Sequence, residues 1–226
     1  MRNAREGITR ARVLFDYTYA HYEIPFPPFA MQVRAATNFE AIVDTMFASN
    51  AFTEGFCPYG AALWPAAVAL GHALCQKPDI VRGKRVLELG AGVGLGSIVA
   101  KKLGADVTAS DMHPDMAELC RHNADLNGVE VPYVSFDWND EAYGERYDTI
   151  IGSDLLYDPK LTPLVLAVTQ RLLKPGGVAL FAAPQRGHLM RLREGFKAAN
   201  MAWTETTQPA AFAGQSAHCI LFWVTP

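Results

Sequence analysis

Glycines recur at every second position from Gly90 to Gly96 in the stretch VLELGAGVGLGS, directly after a short apolar run. A glycine-rich turn between a strand and a helix lets the backbone approach a ligand closely and aims helix N-terminal amides at it. Gly90, Gly92 and Gly94 form that turn, and Glu88 stands two positions before it. Asp111 ends the next apolar run, where a carboxylate accepts hydrogen bonds from both hydroxyls of a ribose. Its other reading is a helix N-terminal acid before Pro114. Asp137 and Trp138 follow the third run, in SFDWND. An acid there accepts from an exocyclic amine and a ring supplies an apolar contact, as an adenine requires, although Trp138 also reads as core. Three such signals at the carboxyl ends of three successive strands reinforce one another, because open α/β sheets bind ligands at those ends.

The spacing narrows the ligand. No G-K-[ST] follows the turn, which argues against a nucleoside triphosphate. The sixth position counted from Gly90 is Leu95, and from Gly92 it is Ser97, so the strict dinucleotide pattern is missing and NAD is demoted. A tight turn with no ligand stays open.

Such residues need a sheet to hold them. RVLEL (85–89) and DVTASD (106–111) flank GLGSIVAKKLG, which has helical length and a glycine stop, making one βαβ unit. HPDMAELCRHNADLNG reads as a helix with Pro114 in its first turn and Gly128 past its end, before a strand around VPYVSF. YDTIIGSD and GVALFAAP extend the sheet, joined by a helix in PKLTPLVLAVTQRLLKPGG. MAWTETT and AHCILFWVTP read as an antiparallel hairpin at the edge. The fold expected is α/β: a Rossmann-like, doubly wound, mostly parallel seven-stranded sheet with an antiparallel C-terminal hairpin strand. YEIPFPPFAMQVRAATN, with three prolines and an alternating run, and the amphipathic FEAIVDTMFAS read as a lid or flap. A helix opens near Trp64 and Pro65 and packs beside the first strand.

Composition excludes several classes. The chain has 226 residues, half of them apolar, and a formal net charge of -3, which gives no electrostatic reason to expect a nucleic-acid partner. Arg2, Arg5, Arg10 and Arg12 read as a solvated terminus, and RGHLMRLREGFK as a solvated helix face. No signal-peptide pattern is visible, and AALWPAAVALGHALC is too short to span a bilayer. The four cysteines lie far apart without a C-x-x-C pair, so no disulfide framework or metal site is indicated and a cytoplasmic location is expected.

E-L-G-A-G-V-G with its leading acid resembles the S-adenosylmethionine (AdoMet) sites of class I methyltransferases. From about Tyr59 onward, LWPAAVALGHAL, VRGKRVLELGAGVGLGSIVAKKLGADVTASD, HNADLNG, FDWND and YDTIIGSDLLYDP resemble methyltransferase family 16, the protein lysine methyltransferases. The resemblance implies a methyltransferase domain over 59–226 behind an N-terminal extension over 1–58. It implies that Trp64 lines the cofactor pocket and that Asp154 and Tyr157, a D-x-x-[FY] motif, stand at the reaction centre. With Met112 beside Asp111 and Ser153 beside Asp154, these complete the expected site. The acceptor implied is a protein lysine, and FCPYGAALWPAA looks like enzymes acting on the electron transfer flavoprotein β subunit. A monomer acting on neither nucleic acid nor membrane is expected. Leu155 and Leu156 replace the prolines that base-amine methyltransferases carry in [DN]-P-P-[YFW], which lowers a nucleobase acceptor. A nicotinamide-like small molecule and a non-catalytic AdoMet-binding module remain as alternatives.

Overall fold

The computed structural model describes residues 16–48, 58–113, 116–155, 160–185 and 189–225. Its centre is the predicted βαβ unit: β3 (Arg85–Leu89), α3 (Leu95–Lys102) and β4 (Asp106–Asp111). The helix α4 (Met116–Leu126) leads to the short strand β5 (Tyr133–Ser135), and β6 (Tyr147–Ser153), α5 (Leu161–Leu172) and β7 (Leu173–Pro184) continue the alternation. After α6 (Leu189–Ala198), β8 (Ala202–Phe212) and β9 (Gln215–Thr225) form a hairpin.

The seven-stranded sheet has the order β5-β4-β3-β6-β7-β9-β8. Strands β5 to β7 run parallel and β9 runs antiparallel to both β7 and β8, as expected from the sequence. The chain winds outward from β3 in one direction and then from β6 in the other, so a crevice opens between the carboxyl ends of these two strands.

Alternation along the strands sorts the core into two clusters. Val86, Val107, Ile151 and Leu180 belong to one, with Leu70 and Leu74 of α2 (Pro65–Gln76), Ile98 of α3 and Cys120 of α4. Leu87, Leu89, Ile150 and Phe181 belong to the other, with Val165 and Leu172 of α5 and Leu192 and Phe196 of α6. Helices on both faces explain why β3 reads as a continuous apolar run. No helix among the described residues is long and apolar enough to cross a membrane.

The segment before Trp64 contributes to the first cluster. Strands β1 (Tyr19–Phe26) and β2 (Phe29–Ala36) make an antiparallel hairpin, and Ile24, Phe26, Met31 and Val33 are buried against the sheet domain. A Cβ on Gly71 of α2 would lie 2.6 Å from the Phe26 ring, so the helix is notched to admit it. The outer edge of β2 is bonded by the side chains of Asn123 in α4 and Asn127 in the turn after it, through the backbones of Arg34 and Gln32. Gln32 therefore turns its polar backbone away from β1. By strand alternation Pro25, opposite Ala30, shares the outward register of Glu23, so its missing N–H costs the hairpin nothing. The helix α1 (Phe39–Ala48) follows, as its amphipathic pattern predicts. The arginines at 2, 5, 10 and 12, together with Pro114, lie outside the described residues.

Candidate functional site

The glycine turn opens at the end of β3 and closes at Gly94, the left-handed N-cap of α3. Within it the Gly92 N–H donates to Asp111 Oδ2 at 3.1 Å, and the His113 N–H donates to Oδ1 at 3.1 Å. One carboxylate thus ties the end of β4 to the turn after β3, and the ribose candidate stands at the crevice. Burial pushes its pKa up, against the pull of these N–H donors. Met112, beside it, is 50% exposed, a large apolar side chain on an otherwise well-packed sheet end.

Glu88 reaches from β3 to the first turn of α3. Its carboxylate is 1% exposed, and Oε2 accepts from the Ser97 N–H at 2.7 Å and the Ser97 hydroxyl at 2.6 Å. It therefore caps the first turn of α3, where the helix N-terminus favours an acid. Burial pushes its pKa up to about 7 despite these donors. The acid two before the first glycine holds the shape of the turn from beneath.

The glycines answer to different neighbours. A Cβ on Gly92 would lie 2.6 Å from the Gly60 carbonyl oxygen, so two backbones of this chain meet there, in the 3-10 turn Pro58–Ala61. A Cβ on Gly90 would overlap a Leu155 methyl and lie 3.8 Å from the Trp138 ring. At Gly94 the space belongs to the Cys120 side chain.

Trp64 caps α2, and its indole N–H donates to the Tyr59 carbonyl at 2.9 Å. Its ring meets Phe39 of α1 edge-on at 5.1 Å and Tyr59 at 6.1 Å. Phe39 and Tyr59 were not singled out from the sequence. The apolar first position of an amphipathic helix was the available signal for Phe39, and PYG before LWP the signal for Tyr59.

Asp137 is exposed and opens a turn, accepting from the Asn139 N–H at 2.9 Å. Trp138 is half-buried against the second core cluster, so its core reading and its place near Gly90 hold together. Ser153 ends β6, and Asp154 follows in a left-handed conformation with φ 52°. Its N–H donates to the Ala182 carbonyl at 2.8 Å. Tyr157 lies outside the described residues. The structure thus gathers the Gly90 to Gly94 turn, Asp111, Trp138 and the Ser153–Asp154 step around the ends of neighbouring strands, with Glu88 behind the turn.

A family profile described as lysine methyltransferase matches residues 50–221, three quarters or so of the chain. The protein belongs to this lysine methyltransferase family. Its curated relatives include the histone-arginine methyltransferase METTL23 of Xenopus laevis, 40% identical over 111 residues, 46% of this chain and 47% of that one. The electron transfer flavoprotein beta subunit lysine methyltransferase of Rattus norvegicus is 38% identical over 106 residues, 46% of this chain and 41% of that one. The matches thus span about half the length of these relatives. Among solved structures, a T. thermophilus 16S rRNA N2 methyltransferase in complex with AdoMet and guanosine superposes with TM-score 0.59. It is 19% identical, covers 90% of this chain and 50% of its own, and shares the family member's fold.

Proposed function

We propose that the protein transfers a methyl group from AdoMet to a protein nitrogen, a lysine amine. The observation that carries this reading is the 3.1 Å bond between the Gly92 N–H and the Asp111 carboxylate, which joins the ends of β3 and β4 beside the point where strand order reverses. It holds a glycine turn and a ribose acceptor in one crevice. The residues fit the cofactor: Asp111 offers acceptors for a ribose, while Met112 and the Trp138 ring offer apolar surface for an adenine. Asp137 accepts from its exocyclic amine, Trp64 lines the pocket, Ser153 and the glycines supply backbone contacts, and Glu88 fixes the turn.

Bound AdoMet supplies an electrophilic methyl carbon. This chain's own residues have to align a neutral amine with it, since an in-line transfer depends on orientation. A lysine is protonated at neutral pH, and an apolar, water-poor entrance disfavours its charged form. Asp154, held in its unusual backbone conformation beside the crevice, orients the incoming amine or the methionine ammonium, and Tyr157 orients the amine. Free thiols at Cys75 and Cys120 fit a cytoplasmic protein. The name of the rat relative makes the electron transfer flavoprotein β subunit the first acceptor to try, and the METTL23 relatives make arginine the competing one.

The test is incubation with labelled AdoMet and lysate from methylation-deficient cells. Label that protease releases and nuclease does not, with S-adenosylhomocysteine formed, is expected. Dialysable label would favour a small-molecule acceptor, and binding without product a non-catalytic module.

A further inference from the structure

Asp154 carries one of three positive φ angles on non-glycine residues among the described chain, and something has to hold it there. On one side its N–H is bonded to Ala182 of β7 at 2.8 Å. On the other side stands Leu155, which is only 6% exposed although it sits at the open end of the sheet.

Two glycines on neighbouring strands account for that burial. A Cβ on Gly152 would lie 2.5 Å from Leu155 Cδ1, and a Cβ on Gly90 would overlap Cδ2. Each methyl therefore occupies the space of a missing side chain, one on β6 and one at the first position of the glycine turn. Gly152 pairs with Leu89, the residue before Gly90, so the two gaps adjoin and form one notch. Gly152 is not among the positive-φ glycines, so its backbone conformation is open to any residue and only the space requires glycine. The Trp138 ring, 3.8 Å from the Gly90 position, adjoins the same notch.

We infer that Leu155 is a positioning residue for methyl transfer: pegged into the Gly90–Gly152 notch, it locks the Asp154 backbone in register with the glycine turn. The inference rests on the function proposed above, in which Asp154 orients a reacting group. In this role Leu155 acts through Asp154.

The notch predicts a specific coupling. Gly152→Ala places a methyl where Leu155 Cδ1 now sits, and Leu155→Ala removes the peg. Each single variant should slow label transfer from saturating AdoMet to lysate protein by about tenfold or more, since small misplacements at a reaction centre are costly. With Asp154 facing the acceptor amine, S-adenosylhomocysteine affinity by calorimetry should stay within about twofold, because the loss falls on orientation of the amine. In the Leu155→Ala background, Gly152→Ala should change the rate by less than about twofold, the two substitutions having removed the same contact. Leu155→Met should retain most of the rate, and Leu155→Val serves as the smaller truncation if thermal unfolding shows Leu155→Ala to be unfolded. Wild-type transfer in a folded truncation, or independent losses in the double variant, overturns the inference while leaving the proposed function standing. A native chain that binds AdoMet and methylates nothing overturns both.

Discussion

Asn123 pairs with the backbone of Arg34 through both ends of its amide: Oδ1 accepts from the N–H at 2.8 Å and Nδ2 donates to the carbonyl at 3.0 Å. The same Nδ2 donates to the Val93 carbonyl in the glycine turn at 2.9 Å. A fully buried side chain thus stands in for a third strand beside β2 and joins the N-terminal hairpin to the turn. Asn123→Ala strands three backbone groups and should lower the unfolding free energy by roughly 2 to 4 kcal/mol. Urea denaturation reads this, and a loss under about 0.5 kcal/mol, the range of featureless surface substitutions, would refute the joint.

Gly92 and Gly128 both have positive φ, at 51° and 64°, but only Gly92 has a backbone against it. Gly128→Ala should cost about 1 kcal/mol, the strain of a left-handed alanine. Gly92→Ala adds the overlap with the Gly60 carbonyl and should cost clearly more, with AdoMet binding lost. Equal thermal shifts for the two variants would show that the Pro58–Ala61 turn yields freely.

Much of this was legible in the residues. RVLEL, DVTASD and the glycine turn fell where read, because a strand buried on both faces and a glycine-terminated helix are local patterns. The hairpin β1–β2 was harder, since Pro25 inside a strand is acceptable only once its outward register is known. RGHLMRLREGFK read as a solvated face, and Arg191, Glu194 and Lys197 are exposed on α6, while the opposite face, with Leu189, Leu192 and Phe196, is buried and Arg193 meets Glu205 at 2.7 Å. At the site, Asp111 and Trp138 were legible from strand ends. The place of Glu88 beneath α3 and the peg of Leu155 depend on residues far apart in the chain, which spacing does not reveal.

Glu88 gives a pH signature. Unfolded, it titrates near 4.5, and in the fold burial pushes it up to about 7. Between those values the native state keeps a proton that the unfolded chain has lost. Its contribution to stability is therefore full below the window, falls as pH rises through it and is level above. Glu88→Gln keeps an acceptor for Ser97 but cannot titrate. The native protein should lose up to about 3 kcal/mol relative to the variant across the window. His72, whose pKa burial lowers, acts in the opposite direction but equally in both proteins. Parallel stability profiles would show that Glu88 does not titrate there.

Asp154 separates charge from backbone. Asn adopts the left-handed region at lower cost than alanine, so Asp154→Asn and Asp154→Ala should both suppress transfer, with Asp154→Ala less stable by about 1 kcal/mol. Transfer surviving in Asp154→Asn at near-native rate would remove the carboxylate from the reaction.

The crevice is proposed to methylate a protein lysine. Label transferred from AdoMet to lysate protein, followed by acid hydrolysis and amino-acid analysis of the product, reads it most directly. The label should be found in methyllysine, and its recovery in methylarginine, in nucleoside or in no protein residue would rule out lysine as the acceptor.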